Sequence, residues 1–302
     1  MMDYASRLRD DRFVIFLFHG VIDRQIDPVR NYTRKHLEAA YFVDRLRSLL
    51  DAGGHPVSLN EVLDSHQAGE DLPPKSFAIT FDDGFLNNLT VAAPVLADLA
   101  IPATFYITSD FIDSNRMSWV DRIEWAVAAS APAGLRFPWG GGATFSSAED
   151  KRLVMTEIRR RAKTEPGLDL DALASDLQHQ LGFPETWAAD GPLDSKMTWR
   201  QVAQLYADPL FEVGGHSHSH GILALMDEAA LDRELDLSLS LLREHAGIGP
   251  RHYSYPEGLA HCFSDQVIAK LKERGVVICP TAIDGDNDHG TDLFHLRRIM
   301  AV

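Results

Sequence analysis

The chain of 302 residues carries 44 acidic side chains against 29 Lys and Arg, a formal charge of −15, and 45 % of its residues are apolar. A field of that sign repels nucleic acid and anionic membrane surfaces, and the single basic run, Arg159, Arg160, Arg161 and Lys163, lies in an acidic helical stretch and reads as a solvated face. The apolar content fills a large core unaided; Cys262 and Cys279 form no disulfide framework and fit a reducing compartment. With no run of about 18 apolar residues, no membrane span is expected. The acidic pair Asp10 and Asp11 precedes an apolar run too short for a secretion signal, so the expected location is the cytoplasm.

FVIFLF at 13–18 reads as a buried strand ending at His19 and Gly20. From Leu37 through Leu50, the residues Leu37, Tyr41, Phe42, Leu46, Leu49 and Leu50 fall mostly on one helical side, and Gly53 and Gly54 supply a stop. A second strand, Phe77 to Phe81, runs into Asp82, Asp83 and Gly84. Leu89, Leu96 and Leu99 predict a helix started or kinked at Pro94, and ATFYI at 103–107 returns to strand. After residue 209 the alternation resumes. LFEVGG is strand, Leu231, Leu235, Leu239 and Leu242 form a helical stripe, and YSY at 253–255 is a short extended element. Ser264 caps a helix ending near Gly275, followed by VVIC and an extended LRRIMAV tail.

This alternation of strand and helix predicts an α/β layered or barrel domain. The region 113–200 breaks the rhythm with a glycine-rich PWGGG at 138–142, polar helical stretches and FPETWAADGPLD. It reads as an insertion within a single domain spanning 1–302, placed to act as a lid or substrate wall. Trp119, Trp125, Trp139, Trp187 and Trp199 all lie there. Sugar rings stack on such aromatics, although packing of the insertion explains each Trp more simply.

Asp82 and Asp83 emerge where a strand becomes a loop, the end at which α/β sheets and barrels collect their sites. Adjacent side chains on extended backbone point in different directions, so one carboxylate can hold a cation while its neighbour faces a reacting water. The second cluster is His216-Ser217-His218-Ser219-His220. A separation of four brings His216 and His220 to one face if the turn is helical, and two imidazoles with one carboxylate leave a coordination position open. His218 is expected to point elsewhere. Either cluster alone reads as a polar turn; together they follow two strand-like segments whose ends converge in a barrel.

On these residues the sequence resembles the NodB-type polysaccharide deacetylases of carbohydrate esterase family 4. Their TFDDG hallmark stands here as Thr80 to Gly84, and their H-[ST]-x-x-H pattern as His216 to His220. The resemblance runs from about residue 13 to 112 and from 209 to the end. It implies Asp82 as catalytic base, Asp83, His216 and His220 as metal ligands, and a distorted, incomplete (β/α) barrel of about seven repeats. A third family pattern stands at Tyr253 to Gly258, where relatives commonly carry an arginine at the position of Ser254 and an aromatic at that of Glu257. The backbone N–H of Glu257 remains available to an oxyanion whatever its side chain.

The resemblance further implies a general acid. His295 in DLFHLRRI lacks the family's usual surroundings, and His19 resembles the histidine that an N-terminal motif supplies in permuted members, so His19 is preferred. Arg297 or Arg298 is suited to orient Asp82 through a bidentate pair, strand alternation turning the other to solvent; Arg297 is assigned to the site. Asp121 and Arg122 resemble a family insertion near the site and are weaker candidates. The expected activity is metal-dependent hydrolysis of the N-acetyl group of an amino sugar in a surface-glycan or polysaccharide precursor. The expected cofactor is one divalent ion, Zn2+ by preference, with Co2+, Ni2+ or Fe2+ also suited to an Asp-His-His set. The rivals are a deformylase or deacylase acting on a nucleotide- or lipid-linked sugar, and a noncatalytic carbohydrate-binding protein.

Overall fold

The computed structural model describes residues 3–24, 26–27, 29–162, 165, 168–249 and 251–302; Lys163 of the basic run lies outside the described residues. The strands are β1 (Val14–Phe18), β2 (Gly20–Ile22), β3 (His36–Glu38), β4 (His55–Pro56), β5 (Ser76–Phe81), β6 (Ala103–Ile107), β7 (Ala133–Arg136), β8 (Gly142–Phe145), β9 (Phe211–Gly215) and β10 (Ile299–Met300). The helices are α1 (Ala39–Asp51), α2 (Leu59–Ala68), α3 (Ala93–Asp98), α4 (Ser109–Ser114), α5 (Trp119–Ala129), α6 (Ala148–Ala162), α7 (Leu170–Gln180), α8 (Trp199–Tyr206), α9 (Glu228–Ala246) and α10 (Asp265–Glu273).

Where the sequence reads as one domain with an insertion at about 113–200, the chain clusters into two compact units. The first comprises 1–23, 36–115 and 196–302; the second comprises 24–35 and 116–195. The short segment 24–35 has no periodicity to announce its place, and only tertiary packing assigns it to the second unit.

The first unit is mixed α/β, built on a parallel sheet in the order β10-β1-β5-β6-β9, with β4 paired to the start of β5. Strand alternation sorts the side chains into two layers. Phe16, Phe18, Phe77, Ile79, Phe81 and Phe105 enter one core with Phe42, Leu46 and Leu49 of α1, whereas Ile15, Ala78 and Tyr106 belong to a separate cluster. Phe18, Phe81 and Phe105 stack across three neighbouring strands at 5.3 and 5.0 Å. Thr80 and Asp82 share the parity of Ala78, so the catalytic candidate starts on the face opposite the aromatic ladder.

The helices follow their sequence signals. Ser58 and Glu61 form a capping box on α2, Ser264 accepts from Val267 N at the start of α10, and Gly247 closes α9 in the left-handed region. Two expectations fail for identifiable reasons. Leu37 lies in β3 rather than in α1, because β3 pairs in parallel with β2. YSY and VVIC shrink to single parallel bridges, Gly215 with Tyr253 and His252 with Ile278. Pro256 and Pro280 follow closely and have no N–H to extend a ladder.

The second unit has its own core, with Ile123 and Val127 of α5, Val154, Met155 and Ile158 of α6 and Leu173 and Leu177 of α7. PWGGG makes the turn of the antiparallel hairpin β7–β8. Trp125 packs on Phe183 and Trp139 on Phe137, and Arg122, fully buried, lies 3.6 Å above the Trp187 ring while donating to Thr186 O, Ser175 Oγ and Gln178 Oε1. Asp121 pairs with Lys35 and the α5 cap Ser118. These contacts build the unit itself, which is the simpler reading of Trp125, Trp139 and Trp187 and of Asp121 and Arg122. Among the described residues no helix is long and apolar enough to cross a membrane.

Candidate active site

Beyond β5 the chain turns sharply. Asp82 N–H donates to Phe18 O at 3.0 Å, prolonging the β1–β5 pairing by one residue, and then Asp83 and Gly84 adopt φ of 75° and 76°. Glycine enters that left-handed region freely, whereas a residue with a Cβ does so at a cost of about 1–3 kcal/mol. The turn is held from one side by the strand-like pair Phe85–Lys196, by Met197 N–H donating to Gly84 O, and by the Lys196 ammonium 3.5 Å above the Phe85 ring.

The histidine turn is built differently from its expected form. His216 N–H donates to Ile107 O, and the residues after it are not helical, since Ser217 and His220 have φ of 63° and 64°. The strained turn is gripped on several sides. Glu234 of α9 accepts through one oxygen from His218 N, Ser219 N and Ser219 Oγ at 2.6–2.9 Å. Ser109 and Asp110 N–H at the start of α4 donate to Ser217 O and His218 O, and His220 N–H donates to Ser217 Oγ. His218 turns to Ser109 Oγ at 2.9 Å, and the ring of Phe111 stacks on His220.

The two turns meet. Asp83, His216 and His220 each offer one ligand atom, and these atoms all lie within 4.8 Å of one another. His220 Nε2 is 3.2 Å and His216 Nε2 3.7 Å from Asp83 Oδ1. His216 Nδ1 lies 2.9 Å from Ser254 O and donates to it, which leaves the Nε2 lone pair facing the cluster. Burial lowers the His216 pKa, which favours the neutral form that ligates metal. One carboxylate oxygen and two imidazole nitrogens fit a divalent cation with an open position.

Asp82 stays outside that set and is held by Arg298, not Arg297. Arg298 Nη1 and Nη2 donate to the two Asp82 oxygens at 2.8 and 2.9 Å. Its other hydrogens go to Thr80 Oγ1, Ser254 Oγ and Thr281 O, so all five guanidinium donors are satisfied in a group only 1 % exposed. Arg297 faces the other way and reaches Asp284 O. The alternation rule identifies that one of the pair must turn outward but not which, because the parity depends on the register of β10 against β1. The small side chain of Ser254 leaves room for this guanidinium and accepts a hydrogen bond from it. Burial works against the Asp82 carboxylate, but the adjacent Arg298 charge outweighs it and holds the pKa below its ordinary value.

Replacing Arg298 by Met leaves that carboxylate buried without its counterion and is expected to cost about 3–5 kcal/mol of stability. Since the folded pKa of Asp82 is depressed, the pair's contribution is present above about pH 4 and is lost as pH falls through the folded value. Urea unfolding of the variant and the parent protein should differ at neutral pH and converge in acid; equal midpoints at neutral pH would refute the assignment.

The remaining candidates are placed as follows. His19 lies, half-buried, between β1 and β2, near enough for its charge to act on Asp82. Glu257 has φ of 59° in the turn three residues after Ser254, the residue whose carbonyl receives His216. His295 is half exposed on a loop, against Asp292 and the edge of Phe263, and takes no part in the cluster.

The sequence profile described as polysaccharide deacetylase matches residues 69–140 and 170–278, more than half of the chain. The chain belongs to the polysaccharide deacetylase family. It is 28 % identical over 102 residues to the poly-beta-1,6-N-acetyl-D-glucosamine N-deacetylase of Escherichia coli K12, a match that spans 34 % of this chain and 15 % of that relative. Its fold is similar to that of the Streptococcus pyogenes deacetylase PplD in complex with acetate, with a TM-score of 0.61, 14 % identity and coverage of 96 % of this chain and 92 % of that one. It is similar too to IcaB from Ammonifex degensii, at a TM-score of 0.59, 18 % identity and coverage of 98 % and 94 %.

In this member of the deacetylase family the sequence motifs point to the ligand cluster, but not to what supports it. Glu234 and Lys196 sit in unremarkable helical or extended surroundings. The sequence offers Arg298 together with Arg297 as the partner of Asp82, and only the choice between the two lies beyond it.

Proposed function

We propose that the chain hydrolyses the N-acetyl group of an amino sugar in a surface-glycan or polysaccharide precursor, releasing acetate and a free amine. The observation that carries this reading is the convergence of Asp83, His216 and His220 beside an Asp82 that Arg298 holds outside the ligand set. A divalent cation held by those three residues, Zn2+ by preference among ions that suit the set, supplies Lewis-acid polarisation of the acetyl carbonyl and a lowered pKa for water.

The chain's own groups then divide the remaining work. Asp82, kept ionised by Arg298, takes a proton from the water that attacks the acetyl carbon, so that a C–O bond forms. The backbone N–H of Glu257 donates to the oxygen on which negative charge develops. His19 gives a proton to the sugar nitrogen as the C–N bond breaks, which an amide requires because an amine anion does not leave at neutral pH. The parallel sheet, with the bridges at Tyr253 and Ile278 beyond β9, supports reading the architecture as the distorted, incomplete (β/α) barrel of the family.

The test is acetate detection with the Zn2+-reconstituted chain on N-acetylglucosamine oligomers, nucleotide-linked and lipid-linked N-acetylated sugars. Release from any of them, abolished by chelation and restored by the metal, is the expected result. Glycan binding that persists without metal and yields no acetate would replace the enzyme by a carbohydrate-binding protein.

A further inference from the structure

β1 ends at Phe18 and β2 begins at Gly20, so His19 occupies a one-residue break whose direction depends on what holds its neighbours. Two consecutive asparagines do so. Asn88 Nδ2 donates to the His19 carbonyl at 2.8 Å, and Asn87 Oδ1 accepts from Val21 N–H at 3.3 Å. Behind them Asn87 Nδ2 lies 3.0 Å from Nδ1 of His36, at the start of β3, which pairs with β2. Gly20 seats directly on this pair, since a Cβ there would come within 2.0 Å of His36 Nδ1 and 2.6 Å of Asn87 Oδ1.

The asparagines stand at the start of a widened turn before α3. Pro94 has no N–H for the Thr90 carbonyl and its ring crowds it, and the preceding turn, Asn88–Ala92, is π-helical, with Ala93 N–H donating to Asn88 O five residues back. Asn88 is fully buried, yet its Oδ1 has no hydrogen-bond partner among the described residues. Such an orphan destabilises the fold, a cost that an apolar side chain of the same size would avoid. Packing therefore does not account for an asparagine at 88; the His19 carbonyl does.

We infer that Asn88, backed by Asn87, is a positioning residue for His19, fixing the backbone that carries the proposed leaving-group acid. The inference rests on the reading of His19 given above, and its test separates the two. In the full chain loaded with Zn2+, Asn88→Leu removes both the donor and the orphaned oxygen at similar volume, and Asn88→Ala serves as a second variant. Both are expected to keep the parent's metal content. Asn88→Leu removes the orphaned oxygen but leaves the His19 carbonyl without its donor, so its melting temperature should stay near the parent's, and both variants should shift the His19 ring resonances in NMR spectra. On N-acetylglucosamine oligomers kcat should fall about 10- to 100-fold at unchanged KM, as misplacement of a reacting group implies. Cleavage of 4-nitrophenyl acetate, whose leaving group needs no proton, should fall far less. In a His19→Gln background the substitution should have little further effect on the oligomers, since the two residues would act as a unit.

Unmoved His19 resonances in a folded variant overturn the inference, as do losses that are equal on both substrates and add to those of His19→Gln. If the resonances move while His19→Gln alone slows both substrates equally, the positioning stands and the acid assignment falls.

Discussion

Asp82→Asn is expected to lower turnover by a factor on the order of 100 to 10,000 while the metal stays bound, because the substitution removes the proposed general base without touching a proposed ligand. The geometry makes the separation clean. The atoms that could ligate a cation come from Asp83, His216 and His220, and the two Asp82 oxygens are engaged by Arg298 instead. An asparagine occupies the same volume and still presents one oxygen to the guanidinium, but it cannot accept the proton of water. It also leaves Arg298 without its counter-charge in a buried site, so the variant should be less stable than its parent and must be assayed well below its unfolding temperature. Acetate release and elemental analysis on one sample decide the matter. Turnover equal to that of the parent would remove Asp82 as the base.

Loss of a ligand should look different. Asp83→Ala or His216→Ala is expected to weaken metal binding by more than about 100-fold, because replacing even an outer partner of a ligand commonly costs 10–100-fold. Activity should fall with occupancy and recover in part when metal is added in excess. His216 adds a structural consequence, since its Nδ1 ties the turn after β9 to Ser254, the residue that also receives Arg298. His216→Ala should therefore disturb the Asp82 side of the site as well, and Asp83→Ala should not. Competition titration with a chromophoric chelator measures the affinity directly. A variant that binds metal as tightly as the parent yet loses activity would show that the three side chains do not form the cation site.

Much of the candidate site is visible in the amino-acid sequence because chemistry that needs particular residue types at short spacing leaves a local mark. Asp82 and Asp83 next to Gly84 announce a strand-to-loop turn, and His216 with His220 announces a pair of imidazoles. The alternation of apolar strands with amphipathic helices announces an α/β sheet. These are properties of neighbours in the chain, set by backbone geometry and by hydrophobic period.

What the tertiary structure alone decided are the relations between distant residues. That Arg298 rather than Arg297 meets Asp82 follows from the register of a two-residue strand against β1, which no local pattern encodes. The histidines converge through a turn with two residues in the left-handed region, held by Glu234 and the start of α4, where local spacing suggested a helical face. The segment 24–35 joins the second unit through packing alone. Asn88 reaches His19 from a π-helical turn that precedes Pro94, a shape no local spacing predicts. In each case the deciding energy lies in hydrogen bonds and buried contacts between residues far apart in sequence, and such contacts exist only once the chain has closed on itself.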